Sequence, residues 1–153
     1  MEFTISARSK PAAQPIQQLI KKNFSQIPID QIESFFGFTE PCTLYGGRVF
    51  GQTELSRYDL RSMYKMNINY RIPLTNHYAT EDEYKACLPF LEKHYRPGNS
   101  VIITNDDLAK WIRADFPDYR VEASVIKNIN TLPKVIQAYE LYDTVILPMD
   151  ANE

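Results

Sequence analysis

Cysteine is scarce in this chain, which has only two among its 153 residues. Cys42 and Cys87 are far apart in the sequence, and neither belongs to a CxxC motif or has a histidine at metal-ligand spacing. This pattern excludes a disulfide framework and a recognisable thiolate metal site. We therefore expect two reduced thiols in a reducing, cytoplasmic compartment.

Long apolar runs and an excess of positive charge are also absent. No window of about 18 apolar residues exists, and the N-terminus lacks the apolar core of a signal peptide, so we expect no membrane segment. Lys and Arg together number 17 and Asp and Glu 19, a formal net charge of -2. This balance disfavours broad binding of nucleic acid, although a local basic site remains compatible with it.

Familiar catalytic motifs are missing as well. The chain has no GxGxxG, P-loop lysine, GxSxG or HExxH pattern. His77 lies near a predicted strand end, where it can serve acid–base chemistry, whereas His94 falls among surface residues of a predicted helix. Residues 46–48 (GGR) offer N–H groups and a guanidinium to an anion. A plain turn is the simpler interpretation of these three residues.

What the chain does have is a strand–helix–strand pattern over residues 100–128. Residues 101–103 are a short apolar run, typical of a strand buried on both faces. Asn105 can cap the following helix, and Pro117 ends it. Apolar and polar residues then alternate in residues 121–125. This pattern predicts a right-handed, parallel βαβ unit.

The same alternation continues on both sides of this unit. Residues 2–9 are either an added strand or a loose arm, residues 10–15 have the composition of a linker, and residues 32–36 suggest a short helical turn. We divide the chain into an N-terminal arm with helices, residues 1–40, and a βα-repeat domain, residues 41–153. Pro89 lies within a helical pattern and predicts a kink or a restart. The predicted repeat strands are residues 42–45, 67–74, 101–103, 121–125 and 143–148.

Two α/β architectures accommodate five such strands. One is an open flavodoxin-like sheet with the strand order 2-1-3-4-5. The other is a partial TIM-type barrel, with strands in chain order and a chain that ends after the fifth strand. We predict chain order. Its open edges lead us to expect a homo-oligomer or a partner protein that covers them.

Polar residues stand where each predicted strand ends, the position at which parallel α/β folds gather functional groups. Polar loops and asparagine helix caps explain any single member of the set equally well. The convergence of all five strand ends is more informative. The set consists of Arg48, Asn76, His77, Asn105, Asp106, Lys127, Asn128, Asp150 and Asn152.

Polar residues also lie inside two predicted strands. A strand buried on both faces should be apolar, so Asn69, Arg71, Glu122 and Ser124 need an explanation. A barrel interior or a cleft beside it supplies one, and Arg71 and Glu122 can form an ion pair there. A structural ion pair or a solvent-facing edge is an equally good interpretation.

Three stretches of the chain share a pattern with a known family: residues 44–48 (LYGGR), 69–76 (NYRIPLTN) and 122–128 (EASVIKN). They resemble the front of the collagenase-like peptidase superfamily, whose relatives include accessory proteins of oxygen-independent hydroxylation. The resemblance covers about residues 41–153 and implies a TIM-type barrel whose later part is absent here. Some relatives hold an iron–sulfur cluster with four cysteines, mostly from that later part. We therefore expect no cofactor within this chain.

The leading hypothesis is the N-terminal part of such a barrel enzyme, peptidase-like or an accessory part of a hydroxylase, with half of a site for a small anionic or peptide-like substrate. One alternative is a non-catalytic module that docks a partner through its open edge. Another is a flavodoxin-like domain that binds a nucleotide or flavin. The leading hypothesis assigns acid–base chemistry to Glu122 and substrate binding to Arg48, Arg71, Asn76, Asn105, Lys127, Asn128, Asp150 and Asn152.

Overall fold

The computed structural model describes residues 1–8, 10–46 and 49–152, with only the backbone of residue 152. The chain forms two compact units. The first comprises Met1–Pro41 and Val49–Ile72, and the second comprises Cys42–Arg48 and Pro73–Glu153. Both units contain helices and parallel strands, so the α/β class is confirmed.

In the part of the chain that the structure describes, the sheet has six strands, one more than the five repeat strands that the sequence predicts. They follow one another in chain order, and each of the four strand pairings described in register is parallel. Chain order is thus confirmed, and the flavodoxin-like order 2-1-3-4-5 is wrong. The strands are β1 (Phe3–Ser6), β2 (Ile32–Phe36), β3 (Asn69–Leu74), β4 (Ser100–Ile103), β5 (Arg120–Ala123) and β6 (Thr144–Val145).

Two predicted elements near the N-terminus are wrong. Residues 42–45 form a turn closed by the N–H of Tyr45 on the carbonyl of Cys42 at 3.2 Å, and they bury Leu44 without joining a strand ladder. Residues 32–36 are a strand, because β2 pairs with β1 on one side and β3 on the other. Their apolar residues have helical spacing, but the two ladders decide the conformation. Of the alternatives for residues 2–9, the added strand is correct.

Within the described residues, six α-helices accompany the strands. Pro89 stands at the start of a new helix, so the predicted restart is confirmed. Ser56 caps the second helix, and the Thr53 hydroxyl nearby donates to the carbonyl of Thr39 at 2.7 Å. The helices are α1 (Ile16–Asn23), α2 (Arg57–Lys65), α3 (Glu81–Ala86), α4 (Leu88–Lys93), α5 (Asp106–Asp115) and α6 (Leu132–Ala138).

The first unit is tied together by a buried ion pair. Lys10 Nζ lies 2.7 Å from Asp59 Oδ2, and the two side chains are 1% and 3% exposed. Asp59 also accepts the N–H groups of Ile16 and Ser56, both at 2.9 Å. One carboxylate thus joins α2 to the start of α1 and to the segment before it. The residues that the sequence marks as a linker are anchored at Lys10.

Strand alternation in the first unit separates a polar face from an apolar one. Phe35 and Tyr70 are register partners on the apolar face and are fully buried. The Tyr70 hydroxyl donates to the carbonyl of Gly37 at 2.8 Å, which satisfies the one polar atom of that ring. The predicted alternation of β3 is confirmed, since Tyr70 and Ile72 are buried whereas Asn69 and Arg71, on the other face, are half-buried.

The second unit repeats the arrangement on β4 and β5. Val101, Ile103, Val121 and Ala123 point to one face and are fully buried. The opposite face carries polar residues, Glu122 among them. The predicted strand over residues 121–125 is too long, because β5 ends at Ala123 and a 3₁₀ helix, Val125–Lys127, follows it.

Candidate functional site

Three polar side chains of the second unit meet beyond the carboxyl ends of β4 and β5. Lys127 Nζ lies 2.8 Å from Asp106 Oδ1 and donates to the carbonyl of Thr104 at 3.2 Å. The Tyr142 hydroxyl donates to the same Asp106 oxygen at 2.6 Å. The Lys127 ammonium also lies 5.4 Å from the centre of the Tyr142 ring, within the range of a cation–π contact. We call Asp106, Lys127 and Tyr142 the lysine–aspartate–tyrosine cluster.

Local sequence rules place these side chains. Asn105 caps α5, since its Oδ1 accepts the N–H groups of Asp107 and Leu108 at 2.9 and 3.2 Å, and the cap puts Asp106 in the first helical position. Carboxylates are favoured there by the helix dipole. Lys127 is the last residue of a one-turn 3₁₀ helix, which ends because Asn128 adopts a left-handed conformation with φ of 53°. Asparagine is among the few residues that enter this region readily.

The electrostatics of the cluster fix its protonation state. Burial works to raise the pKa of Asp106, but hydrogen bonds from Lys127 and Tyr142 and the nearby ammonium charges outweigh it, so the net shift is downward. Burial and the neighbouring Asp106 carboxylate raise the pKa of Tyr142. At neutral pH the carboxylate is therefore ionised and the phenol is protonated. The cluster is suited to binding and orientation rather than to proton transfer.

A cavity of about 530 Å³ opens beside the cluster. Its lining includes three lysines, Lys110, Lys127 and Lys134, and two acids, Asp106 and Glu140. Three lysines against two acids leave the lining with a net positive charge. The other lining residues are Ile129, Gln137, Ala138, Leu141 and Tyr142.

Glu122, the predicted acid or base, lies on β5 and is only 7% exposed. Its Oε2 accepts the hydroxyl of Ser100 at 2.9 Å, and its register partners are Ile102 on β4 and Thr144 on β6. The carboxylate thus belongs to the polar face of the sheet and is well shielded. A catalytic role for Glu122 stays a prediction.

Two of the asparagines predicted to bind substrate form hydrogen bonds to backbone groups of the protein. The Asn76 amide donates to the carbonyl of Thr43 at 2.9 Å, and its Oδ1 accepts the N–H of Tyr78 at 2.9 Å. The Asn105 amide donates to the carbonyl of His77 at 2.9 Å, besides capping α5. These bonds shape the loops after β3 and β4. Substrate binding by either asparagine stays a prediction.

The remaining predicted residues are dispersed. Arg71 belongs to the first unit, where its guanidinium carbon lies 6.0 Å from the centre of the Phe36 ring. Asn128 and Asp150 are exposed. Arg48 lies outside the described residues, and for Asn152 only the backbone is described, in the 3₁₀ helix Met149–Asn152.

Sequence reasoning missed part of the cavity. Lys110 and Lys134 belong to α5 and α6, whose polar faces give no signal of a shared pocket. Tyr142 has helical spacing with the apolar residues of α6, which predicts a core residue. It is buried, but it lies beyond the end of α6 and delivers its hydroxyl to Asp106.

Across residues 1–8, 10–46 and 49–152, no group of three or more His, Cys, Asp or Glu residues is arranged to hold a metal ion. Within those same residues, no helix has both the length and the apolar character needed to cross a membrane.

Comparison of the chain with protein-family models, with curated proteins and with solved structures found no match.

Proposed function

We propose that the chain is the N-terminal part of a barrel protein related to the collagenase-like peptidases, and that its second unit binds a small anionic substrate. Parallel strands in chain order support the barrel relation, since consecutive strands are neighbours in TIM-type barrels. Within the second unit, the shielded carboxylate of Glu122 on β5 also supports the proposal, since a buried polar group inside a strand is common at substrate sites. The nucleotide- or flavin-binding alternative depended on the order 2-1-3-4-5, which this sheet does not have.

One observation carries the binding proposal, the cavity at the carboxyl ends of β4 and β5. Three lysines belong to its lining, and the Lys127 ammonium is held in place by Asp106 and the carbonyl of Thr104. A carboxylate or phosphate in the cavity has Lys110, Lys127 and Lys134 as candidate partners in its lining. It reaches Lys127 by sharing that ammonium, which has three donors, with Asp106.

Titration with inorganic phosphate and with succinate, followed by isothermal calorimetry and amide chemical shifts, tests this proposal. We expect saturable binding of at least one anion, with shifts concentrated around Lys127 and α6. Lys127→Gln should weaken that binding roughly ten- to hundredfold, because a hydrogen bond to a charged group is worth about 1.5–3 kcal/mol. Lys85→Gln is the matched control, since Lys85 pairs with Glu81 on the exposed surface of α3. Equal binding by the two variants, or no binding to the wild type, would contradict the proposal.

A second candidate function is association with another copy of this chain. None of the residues of α6 is buried, and Leu132 and Ile136 on it are 71% and 62% exposed, as is 57% of Tyr139, the residue that caps its C-terminus. Their spacing puts them along one side of the helix, where an apolar stripe favours contact with a partner. Light scattering should report a dimer that Ile136→Glu converts to a monomer. A monomeric wild type at high micromolar concentration would exclude self-association.

A further inference from the structure

The two cysteines lie side by side in the second unit. The Cys42 Sγ is 3.6 Å from the Cys87 Sγ, although 44 residues separate them in the sequence. A disulfide bond needs a separation of about 2.05 Å, so the sulfurs must approach by about 1.5 Å. The sequence gives no sign of this proximity, which the fold creates. Both cysteines are free thiols in the structure.

The surroundings of the pair differ on its two sides. Cys42 is partly exposed and begins the turn of residues 42–45, whereas Cys87 is buried at the junction of α3 and α4. The Thr43 hydroxyl lies 3.3 Å from Cys87 Sγ. A small reagent therefore reaches Cys42 first, and Cys87 stands behind it as a second thiol.

We propose that Cys42 and Cys87 are a dithiol modification site that forms a reversible disulfide by exchange with a small-molecule disulfide. In the first step the Cys42 sulfur loses its proton to solvent and attacks one sulfur of the small disulfide. A mixed disulfide forms on Cys42, and one small thiolate leaves and takes up a proton. In the second step the Cys87 sulfur loses its proton and attacks the Cys42 sulfur. The protein disulfide forms, and the second small thiol leaves. Two protein thiols are oxidised while one small disulfide is reduced to two thiols.

The resting state of this site is the dithiol. Burial is the main cause that raises the pKa of Cys42 to about 12, so the uncharged thiol dominates at neutral pH. Slow initial attack and fast closure are therefore expected, because the thiolate is the nucleophile and Cys87 is already adjacent.

Oxidation would fix a loop that adjoins a predicted substrate residue. The N–H of Asn76 donates to the carbonyl of Leu44 at 3.2 Å, and its side-chain amide donates to the carbonyl of Thr43. The Thr75 hydroxyl donates to the carbonyl of Gly46 at 3.0 Å. A bond between Cys42 and Cys87 would thus anchor residues 42–46 to both the loop after β3 and the junction of α3 and α4.

Oxidised glutathione, added to the folded full-length chain at neutral pH, is the probe. Intact-mass measurement should show loss of two hydrogens without accumulation of a glutathione adduct, and mapping without reductant should join Cys42 to Cys87. Cys87→Ser should stop at the mixed disulfide on Cys42, and Cys42→Ser should react far more slowly. The oxidised wild type should melt roughly 5–10 °C higher than the reduced protein, because the link closes a long loop.

Three results would overturn the proposal. They are a stable glutathione adduct on the wild type, a disulfide between two chains, or no oxidation under conditions that oxidise a short unstructured dithiol peptide. Treatment of the oxidised protein with dithiothreitol should restore the starting mass and melting temperature. Failure to restore them would exclude a reversible site.

Discussion

Loss of the Lys10–Asp59 ion pair should destabilise the first unit far more than loss of a surface pair. The two groups are 2.7 Å apart, and their side chains are almost fully shielded from water. Asp59 is also the acceptor for two backbone N–H groups, those of Ile16 and Ser56. Removing the carboxylate therefore leaves the Lys10 ammonium and the N–H groups of Ile16 and Ser56 without the acceptor that they share.

Substitution of Asp59 and substitution of Lys10 should lower the free energy of unfolding by different amounts. Asp59→Asn keeps the shape but turns one oxygen into a donor and leaves the Lys10 ammonium buried without the carboxylate it contacts. The expected loss is about 3–5 kcal/mol. Lys10→Met leaves Asp59 with both backbone donors in the first turn of α2, where the helix dipole favours a negative charge. The expected loss is about 2–3 kcal/mol.

Urea denaturation of both variants and the double mutant measures these losses as shifts of the midpoint at constant m-value. The double mutant should lose less than the sum of the singles, by about 1–3 kcal/mol, because the two groups share one network. Lys85→Met is the control, since the Lys85–Glu81 pair is more than 60% exposed and worth about 0.5 kcal/mol or less. If Lys10→Met costs no more than Lys85→Met, the reasoning from burial is refuted.

Three smaller perturbations test the second unit. Asn105→Ala removes the cap of α5 and should cost about 0.5–2 kcal/mol in the same urea assay. Gly46→Ala should lower the melting temperature, because a Cβ there would lie 2.4 Å from a backbone oxygen, whereas Gly51→Ala, with open space around it, should leave it nearly unchanged. The lowered pKa of Asp106 stabilises the folded protein at pH values above the ordinary pKa of an aspartate. This contribution is lost as the pH falls through the lowered pKa of the folded protein. Lys127→Gln should raise that pKa, measured by NMR titration of the carboxyl carbon, and an unchanged value would contradict the contact.

The elements that could be predicted correctly from the sequence are those determined by residues close to one another in the chain. In residues 100–116 an apolar run, an asparagine cap and helical spacing all lie within a few residues of one another, and β4 and α5 follow. Pro89 likewise acts on its own helix. The wrong elements are those in which tertiary pairing overrides local pattern. Residues 32–36 become a strand because strands on both sides offer ladders, and residues 42–45 bury Leu44 within a turn.

The candidate site was predicted only in part for the same reason. Lys127 follows a predicted strand, and in parallel α/β folds the carboxyl ends of strands are where functional side chains gather. Its place in the site could therefore be predicted from the topology. Its partner Tyr142 is 36 residues from Asp106, and no local pattern reports that contact. The proximity of Cys42 and Cys87 could not be predicted for the same reason, since two thiols so far apart in the sequence become neighbours only when the chain folds.

The discontinuity of the first unit bears on how the protein can emerge from the ribosome. Its two segments, Met1–Pro41 and Val49–Ile72, are interrupted by a stretch that belongs to the second unit. Lys10 leaves the ribosome long before Asp59, so an early nascent chain carries a cation whose buried partner has not yet been made. Vectorial folding of this unit must therefore wait until α2 and β3 have been synthesised. A fragment that ends near Pro41 should remain an unfolded, protease-sensitive peptide, and one that ends beyond Ile72 is the shortest that contains every residue of the unit.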